Sequence, residues 1–340
     1  MKNLQPDPPS PPKSAKERIK SALFFVFYYS GVEWVLARLV RPKGVAVLMY
    51  HGVCDHAAIP DHINFHLEES VFERQMRALA RRYPVVPLAD VVTALVESKP
   101  LNKSIVLTFD DGYRNNARHA APILQRLGLP YTIFVATAYM EAADWLPLNE
   151  IYWRWSLGEL SSEQMAALRQ RVRGCPWEEV REEIEALRQK PASAPRAGAE
   201  EGFAMLSWDE IRSLASNGAD FGSHTHTHCN MAAESPSQQR TQLLTSKKAL
   251  EDHLGRRIPL FTYPYGHEEH MSQSSRQSVI DAGFDCAIST NYGLITKQTD
   301  RFCLPRLGYD RRIWMFTGEL LRAFVRQAAR DLWLSITRRT

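Results

Sequence analysis

The sequence predicts an α/β protein whose parallel strands, alternating with helices, close into a distorted barrel. Three observations predict it. Short apolar, β-branched runs at residues 45–50, 85–86, 104–109, 131–135, 220–223, 260–263, 286–289 and 303–307 read as buried strands. Helical-period segments at 72–82, 88–97, 115–127, 208–216, 236–253 and 274–282 stand between them. Residues with chemistry in their side chains collect just past strand ends, and a parallel barrel gathers those ends at one mouth.

The chain has 340 residues, ample for a sizeable core. Apolar residues make up 44% and charged residues 24%, ordinary for a globular protein. A net charge of +4 is too mild to argue for a nucleic-acid partner. The five cysteines (Cys54, Cys175, Cys229, Cys286, Cys303) are scattered and form no C-x-x-C pair. That excludes a disulfide framework and a cysteine zinc site, and favours a reducing compartment. No repeat of fixed period stands out.

Taken in order, residues 1–18 read as a flexible tail, rich in Pro, Lys and Ser at the start. Residues 19–42 read as an amphipathic helix. Its longest uncharged stretch lies between Lys20 and Glu33, well short of the ~20 apolar residues that span a bilayer. Lys13, Lys16, Arg18 and Lys20 precede the apolar run as in a signal peptide, but no small-residue cleavage site follows cleanly. A basic flank with aromatics suits a helix lying on the domain or at a membrane surface. Residues 43–310 form the barrel, with helices closed by Gly128, Asn217-Gly218 and Gly283. About 140–205 is a helical insertion, with helices at 162–172 and 177–189 and a loose linker at 191–202. Its Trp145, Trp153, Trp155 and Trp177 either stack on sugar rings or, the more common use of aromatics, pack the insertion onto the barrel. Residues 311–340 form a C-terminal amphipathic helix ending in Arg338-Arg339.

Three stretches carry chemistry. Asp110-Asp111-Gly112 follows the strand at 104–109. Two adjacent carboxylates at a buried strand end repel each other and lose hydration, which a divalent cation offsets; a plain turn is the alternative. His224, His226 and His228 follow the strand at 220–223, and the i, i+4 spacing places His224 and His228 on one side of a turn. Two imidazoles with one carboxylate leave a position open for water, as in catalytic zinc sites. The third stretch is Tyr263-Pro264-Tyr265-Gly266, and His51 likewise follows the first strand.

These motifs resemble those of polysaccharide deacetylases with a NodB homology domain, carbohydrate esterase family 4. T-F-D-D-G at 108–112 matches the family's first motif, H-T-H-T-H at 224–228 its second, and Y-P-Y-G at 263–266 the latter part of its third. The resemblance covers roughly residues 45–307. It implies a distorted (β/α) barrel that removes N- or O-acetyl groups from an acetylated glycan, in a cell-surface or exopolysaccharide pathway. It also implies Asp110 as general base, Asp111, His224 and His228 as ligands of a divalent metal, zinc first, and the backbone N–H of Tyr265 in the oxyanion hole. Activated water, a nearby carboxylate base and an oxyanion donor are what amide hydrolysis requires.

The chain departs from the family pattern twice. The arginine that orients the base stands two residues before the third motif's proline, and Thr262 occupies that place. The late L-x-x-H that supplies the general acid is absent, with Leu304-Pro305-Arg306 there instead. Arg306 is a candidate to approach Asp110, a rim salt bridge being its alternative. His51 is a candidate to approach the leaving amine. Two rival readings remain: a deacetylase or deformylase of a lipid-linked sugar, and a carbohydrate-binding protein with a degenerate site. The expected location is cytoplasmic or peripheral to the membrane, with contact through the terminal helices; a polymer substrate would favour export.

Overall fold

Seven parallel strands build the barrel: β1 (Val45–Tyr50), β4 (Ser104–Phe109), β5 (Thr132–Val135), β6 (Asp220–Ser223), β7 (Leu260–Thr262), β8 (Cys286–Tyr292) and β9 (Leu304–Arg306). Between the first two lie β2 (Gly52–Cys54) and β3 (His66–Glu68), a separate parallel pair that the sequence pattern did not signal. The computed structural model describes residues 14–55, 66–142, 144–194 and 199–337. The seven strands follow chain order around the sheet, and β1 pairs with β4 over all six residues. The sheet nearly closes on itself: the Leu307 N–H donates to the Val47 carbonyl at 2.8 Å and the Met49 N–H to the Leu307 carbonyl at 3.0 Å. All six residues of β4 are buried, as expected of a strand covered on both faces.

The two-residue period of the strands sorts the core. Val45, Val47, Val106, Phe134, Leu260, Ile288 and Leu304 form one cluster, which Leu88, Val91 and Val92 of the helix Leu88–Val96 join. The alternate residues, among them Ala46, Leu48, Ile105, Leu107 and Ile133, pack against the surrounding helices. The strand expected at 85–86 is reduced to a single bridge from Val85 to Ile105, since Pro84 and Pro87 bracket it and have no N–H with which to extend the ladder.

The insertion comprises helices Ala138–Ala142, Pro147–Ser156, Ser162–Gly174, Trp177–Gln189 and Glu200–Phe203. Within the linker expected at 191–202, residues 195–198 lie outside the described residues and 200–202 are helical. Trp145 and Trp153 pack with Phe203, ring centroids 5.2 Å apart in both Trp145 pairs, and Trp177 packs on the main core. At 145 and 153 the tryptophans serve packing. The buried Arg154 pairs with Glu150 at 2.8 Å and Glu159 at 2.9 Å, tying the insertion together.

The termini differ from expectation. The tail's residues 1–13 lie outside the described residues, but Ala15 already starts a helix capped by the Ser14 side chain. In place of one helix over 19–42 there are two, Ala15–Tyr29 and Val32–Leu39, bent by 85° across Ser30-Gly31. The C-terminal helix is Ile313–Thr337, and residues 338–340 lie outside the described set. Among the described residues no single helix is long and apolar enough to cross a membrane.

Candidate active site

The carboxyl ends of five strands, β1, β4, β6, β7 and β9, deliver the site. β4 ends at Phe109, so Asp110 and Asp111 sit on the first two residues of the loop, buried to 3% and 6% exposure. Asp111 adopts φ 75° and Gly112 φ 89°. Gly112 has no room for a side chain, since a Cβ would lie 2.8 Å from Val135. β6 ends at Ser223 and β7 at Thr262, placing His224 and the Tyr263–Gly266 turn beside the aspartates. Among the described residues only five besides glycine have positive φ, and Asp111, Thr225, His228 and Tyr265 are four of them. Such strain persists where surrounding structure over-determines the backbone, and here it shapes the loops that meet at one point.

That point is a three-residue cluster. Asp111 Oδ1 lies 3.4 Å from His224 Nε2 and 3.2 Å from His228 Nε2, and the three potential ligand atoms all fall within 4.8 Å of one another. Ligands held at about 2.0–2.2 Å on a tetrahedral centre stand about 3.3–3.6 Å apart, so the carboxylate–imidazole spacings fit a metal such as zinc. His224 Nδ1 bonds the Thr262 carbonyl at 2.9 Å, so Nδ1 carries the proton and Nε2 keeps a lone pair. Burial lowers the His228 pKa, more than Asp111 raises it, so its imidazole is neutral as a ligand must be. His226 turns away and bonds Thr137 Oγ1 at 2.9 Å.

Asp110 is held by Arg306. The guanidinium Nη1 donates to Oδ1 at 2.8 Å, Nη2 lies 2.7 Å from Oδ2, and Nε donates to the Ser289 carbonyl at 3.0 Å. Burial opposes ionisation of Asp110, but Arg306, then His224, bring its pKa below the ordinary value. Thr262 is buried and hydrogen-bonds the Ile288 carbonyl. Arg306 of β9 thus supplies beside Asp110 the cation that position 262 does not.

His51 follows β1 and lines the same cavity, of about 310 Å³, as Asp110, Asp111, His224, His228 and Arg306. Its carbonyl accepts from Asn116 Nδ2 at 2.7 Å, which fixes the loop that carries it. Tyr265 forms a further wall, its ring edge-on to His228 at 5.0 Å between centroids. The Tyr265 N–H makes no hydrogen bond within the described residues. All seven residues singled out in the sequence therefore meet in one cavity. Sequence reasoning missed Leu146, Leu148 and Asn149, which the insertion supplies to the opposite wall, with Tyr113 donating its hydroxyl to Asn149 Oδ1 at 3.0 Å. Only Tyr113, next to the T-F-D-D-G motif, carried any sequence signal.

Comparison with known proteins agrees with this geometry. The polysaccharide deacetylase family model matches residues 97–287. The polysaccharide-deacetylase homologue YxkH of Bacillus subtilis (strain 168) is 20% identical over 269 residues, covering 78% of this chain and 72% of that protein. Among solved structures, the Streptococcus pyogenes deacetylase PplD, in complex with acetate, superimposes with a TM-score of 0.59 at 19% identity, covering 83% of this chain and 99% of that one. IcaB from Ammonifex degensii gives 0.54 at 18% identity, covering 83% and 98%. A de-N-acetylase from Aggregatibacter actinomycetemcomitans gives 0.56 at 17%, covering 80% and 96%. At these identities the superpositions establish the shared barrel, and the family model covers more than half of the sequence. The chain belongs to the polysaccharide deacetylase family, hydrolases of amide bonds built on the NodB-type barrel.

Proposed function

We propose that the chain is a metal-dependent deacetylase that removes N-acetyl, or O-acetyl, groups from a glycan. One observation carries the reading: a buried carboxylate clamped by an arginine (Asp110–Arg306) beside a three-ligand cluster (Asp111, His224, His228) at the same barrel mouth. A bound divalent metal, zinc by the chemistry of the donor set, would polarise the acyl oxygen and make water acidic enough to act near neutral pH. Asp110, kept ionised by Arg306, takes the proton from the attacking water. The Tyr265 N–H donates to the oxygen on which negative charge develops. His51, across the cavity, protonates the departing amine. Leu146 and Leu148 exclude water from the acyl side.

Titrating apo protein with zinc and assaying acetate release from chitooligosaccharides and acetylated polymers tests the reading. Turnover that disappears on chelation and in Asp110→Asn supports it. Sugar binding without turnover over a broad panel overturns it in favour of a carbohydrate-binding protein. Thr262 and the missing late histidine motivated that rival; the contact of Arg306 with Asp110 weighs against the first of these.

A further inference from the structure

We propose that the terminal helices dock this enzyme onto an anionic lipid surface, lying in the interface and not crossing it. The inference rests on the surface alone and is independent of the proposed activity. Among the described residues 18 large hydrophobic side chains are exposed, and 15 of them lie in the helices Ala15–Tyr29, Val32–Leu39 and Ile313–Thr337. The barrel and insertion together show only three, so this is not the general character of the surface. The helix Ala15–Tyr29 is apolar nearly all round over its second half, yet it has no buried residue. Only Lys20, Ser21, Phe24 and Tyr28 are half-buried. A helix apolar on all sides ordinarily has all its sides covered. Leu23 and Val26 of this helix, Leu39 of the next, and Leu332, Trp333 and Ile336 in the last turns of the C-terminal helix are all exposed.

Charge identifies what covers this surface. Residues 1–43 carry eight Lys and Arg against three Asp and Glu, and residues 313–340 carry five against two. The terminal segments therefore hold +8 while the rest of the chain holds −4 of the net +4. Exposed apolar and aromatic side chains rimmed by cations match an anionic bilayer, where apolar burial and electrostatic attraction add. The Arg38 guanidinium stacks 3.8 Å over Trp34, an arrangement that lets an aromatic sit at headgroup depth with its cation towards phosphate. A second copy of the chain would set +8 against +8, which disfavours self-pairing.

The docking of the inner faces argues against a span. Phe24 packs flat on Gly318, where a Cβ would lie 2.5 Å from the ring, and Glu33 is buried on Arg82 at 3.0 Å. Crossing would pull both apart.

Co-sedimentation of the full chain with vesicles tests the proposal, comparing phosphatidylcholine alone with phosphatidylcholine containing phosphatidylglycerol. Binding should require phosphatidylglycerol and weaken with salt. The outward substitutions Leu23→Asn, Leu332→Asn and Trp333→Asn together should lower binding at least about tenfold. Arg326→Gln with Arg330→Gln should lower the phosphatidylglycerol-dependent part. Melting temperature and turnover of a water-soluble oligosaccharide should stay unchanged, which separates a lost docking surface from a lost fold. No sedimentation with phosphatidylglycerol vesicles, equal binding by the variants, or a dimer that the same substitutions dissociate would overturn it.

Discussion

Arg306, the last residue of β9, grips Asp110, the residue after β4, through two contacts of 2.8 and 2.7 Å across 196 positions of sequence. Both side chains are almost wholly buried. A buried carboxylate without its cation is expensive, and removing one partner of such a pair typically costs about 3–5 kcal/mol. Arg306→Met should therefore destabilise the protein measurably in urea unfolding. The Asp110 pKa is depressed although burial opposes ionisation, so loss of Arg306 raises it. A base must be ionised to work, so the acid limb of the pH–rate profile should move to higher pH, with kcat/KM down roughly a hundredfold or more. An unmoved acid limb would show that Arg306 is structural only.

Removal of His51 should act on the departure of the amine. His51→Gln keeps the loop tied through its carbonyl to Asn116. If His51 protonates the leaving amine, kcat should fall by about 10²–10⁴. An activated ester, whose leaving group needs no proton, should be spared most of that loss. Equal losses on both substrates would remove His51 from the acid role.

The Asp111, His224 and His228 cluster should bind one equivalent of zinc, read by metal analysis after dialysis. Ligand bound only to the folded state stabilises it by mass action, so zinc should raise the melting temperature and a chelator should reverse the rise. His228→Ala should abolish both the stoichiometric metal and the thermal shift. A shift that survives His228→Ala would place the metal elsewhere.

His119 joins two parts of the chain, with Nδ1 2.5 Å from Glu69 and Nε2 2.7 Å from Glu201. Burial lowers its pKa, but the two carboxylates raise it by more, so the net shift is upward. A raised histidine pKa means stability that is fully present below the unfolded value of about 6.5 and lost as pH rises through the folded pKa. Melting curves of wild type and His119→Gln should differ most in mild acid, above the carboxylate pKa values, and converge in alkali. A difference that is constant with pH would assign His119 a packing role only.

Trp145 is 1% exposed and packs on Trp153 and Phe203. Trp145→Ala should cost about 3–5 kcal/mol through the cavity it leaves. The insertion also supplies Leu146, Leu148 and Asn149 to the active cavity, so activity should fall with the loosened insertion. Stability and kcat/KM should recover together in Trp145→Phe. Lost sugar affinity at unchanged stability would mark Trp145 as a stacking platform instead.

The sequence alone determined what is local. Strand runs, helix periods and turn residues depend on neighbours a few positions apart, so β1, β4 and β6 and the helices Trp177–Gln189 and Trp208–Ser216 have the bounds the pattern predicts, and Leu88–Val96 ends one residue short of them. Asp110-Asp111, His224, His228 and Tyr265 were legible for the same reason, because each lies in a short motif at a strand end. The pattern did not foretell the break at Ser30-Gly31, which rests on helix docking, or the pair β2–β3, whose strands have three residues each. It offered Arg306 two roles, a rim salt bridge or a partner for Asp110, and only closure of the barrel decided between them. Strand order sets β9 beside β1, which is beside β4, and that adjacency brings the guanidinium to the carboxylate. Asn149 had no signal, because its place in the cavity follows from how the insertion packs back over the mouth. Interactions that span hundreds of residues are set by which surfaces bury each other, and that is a property of the folded chain.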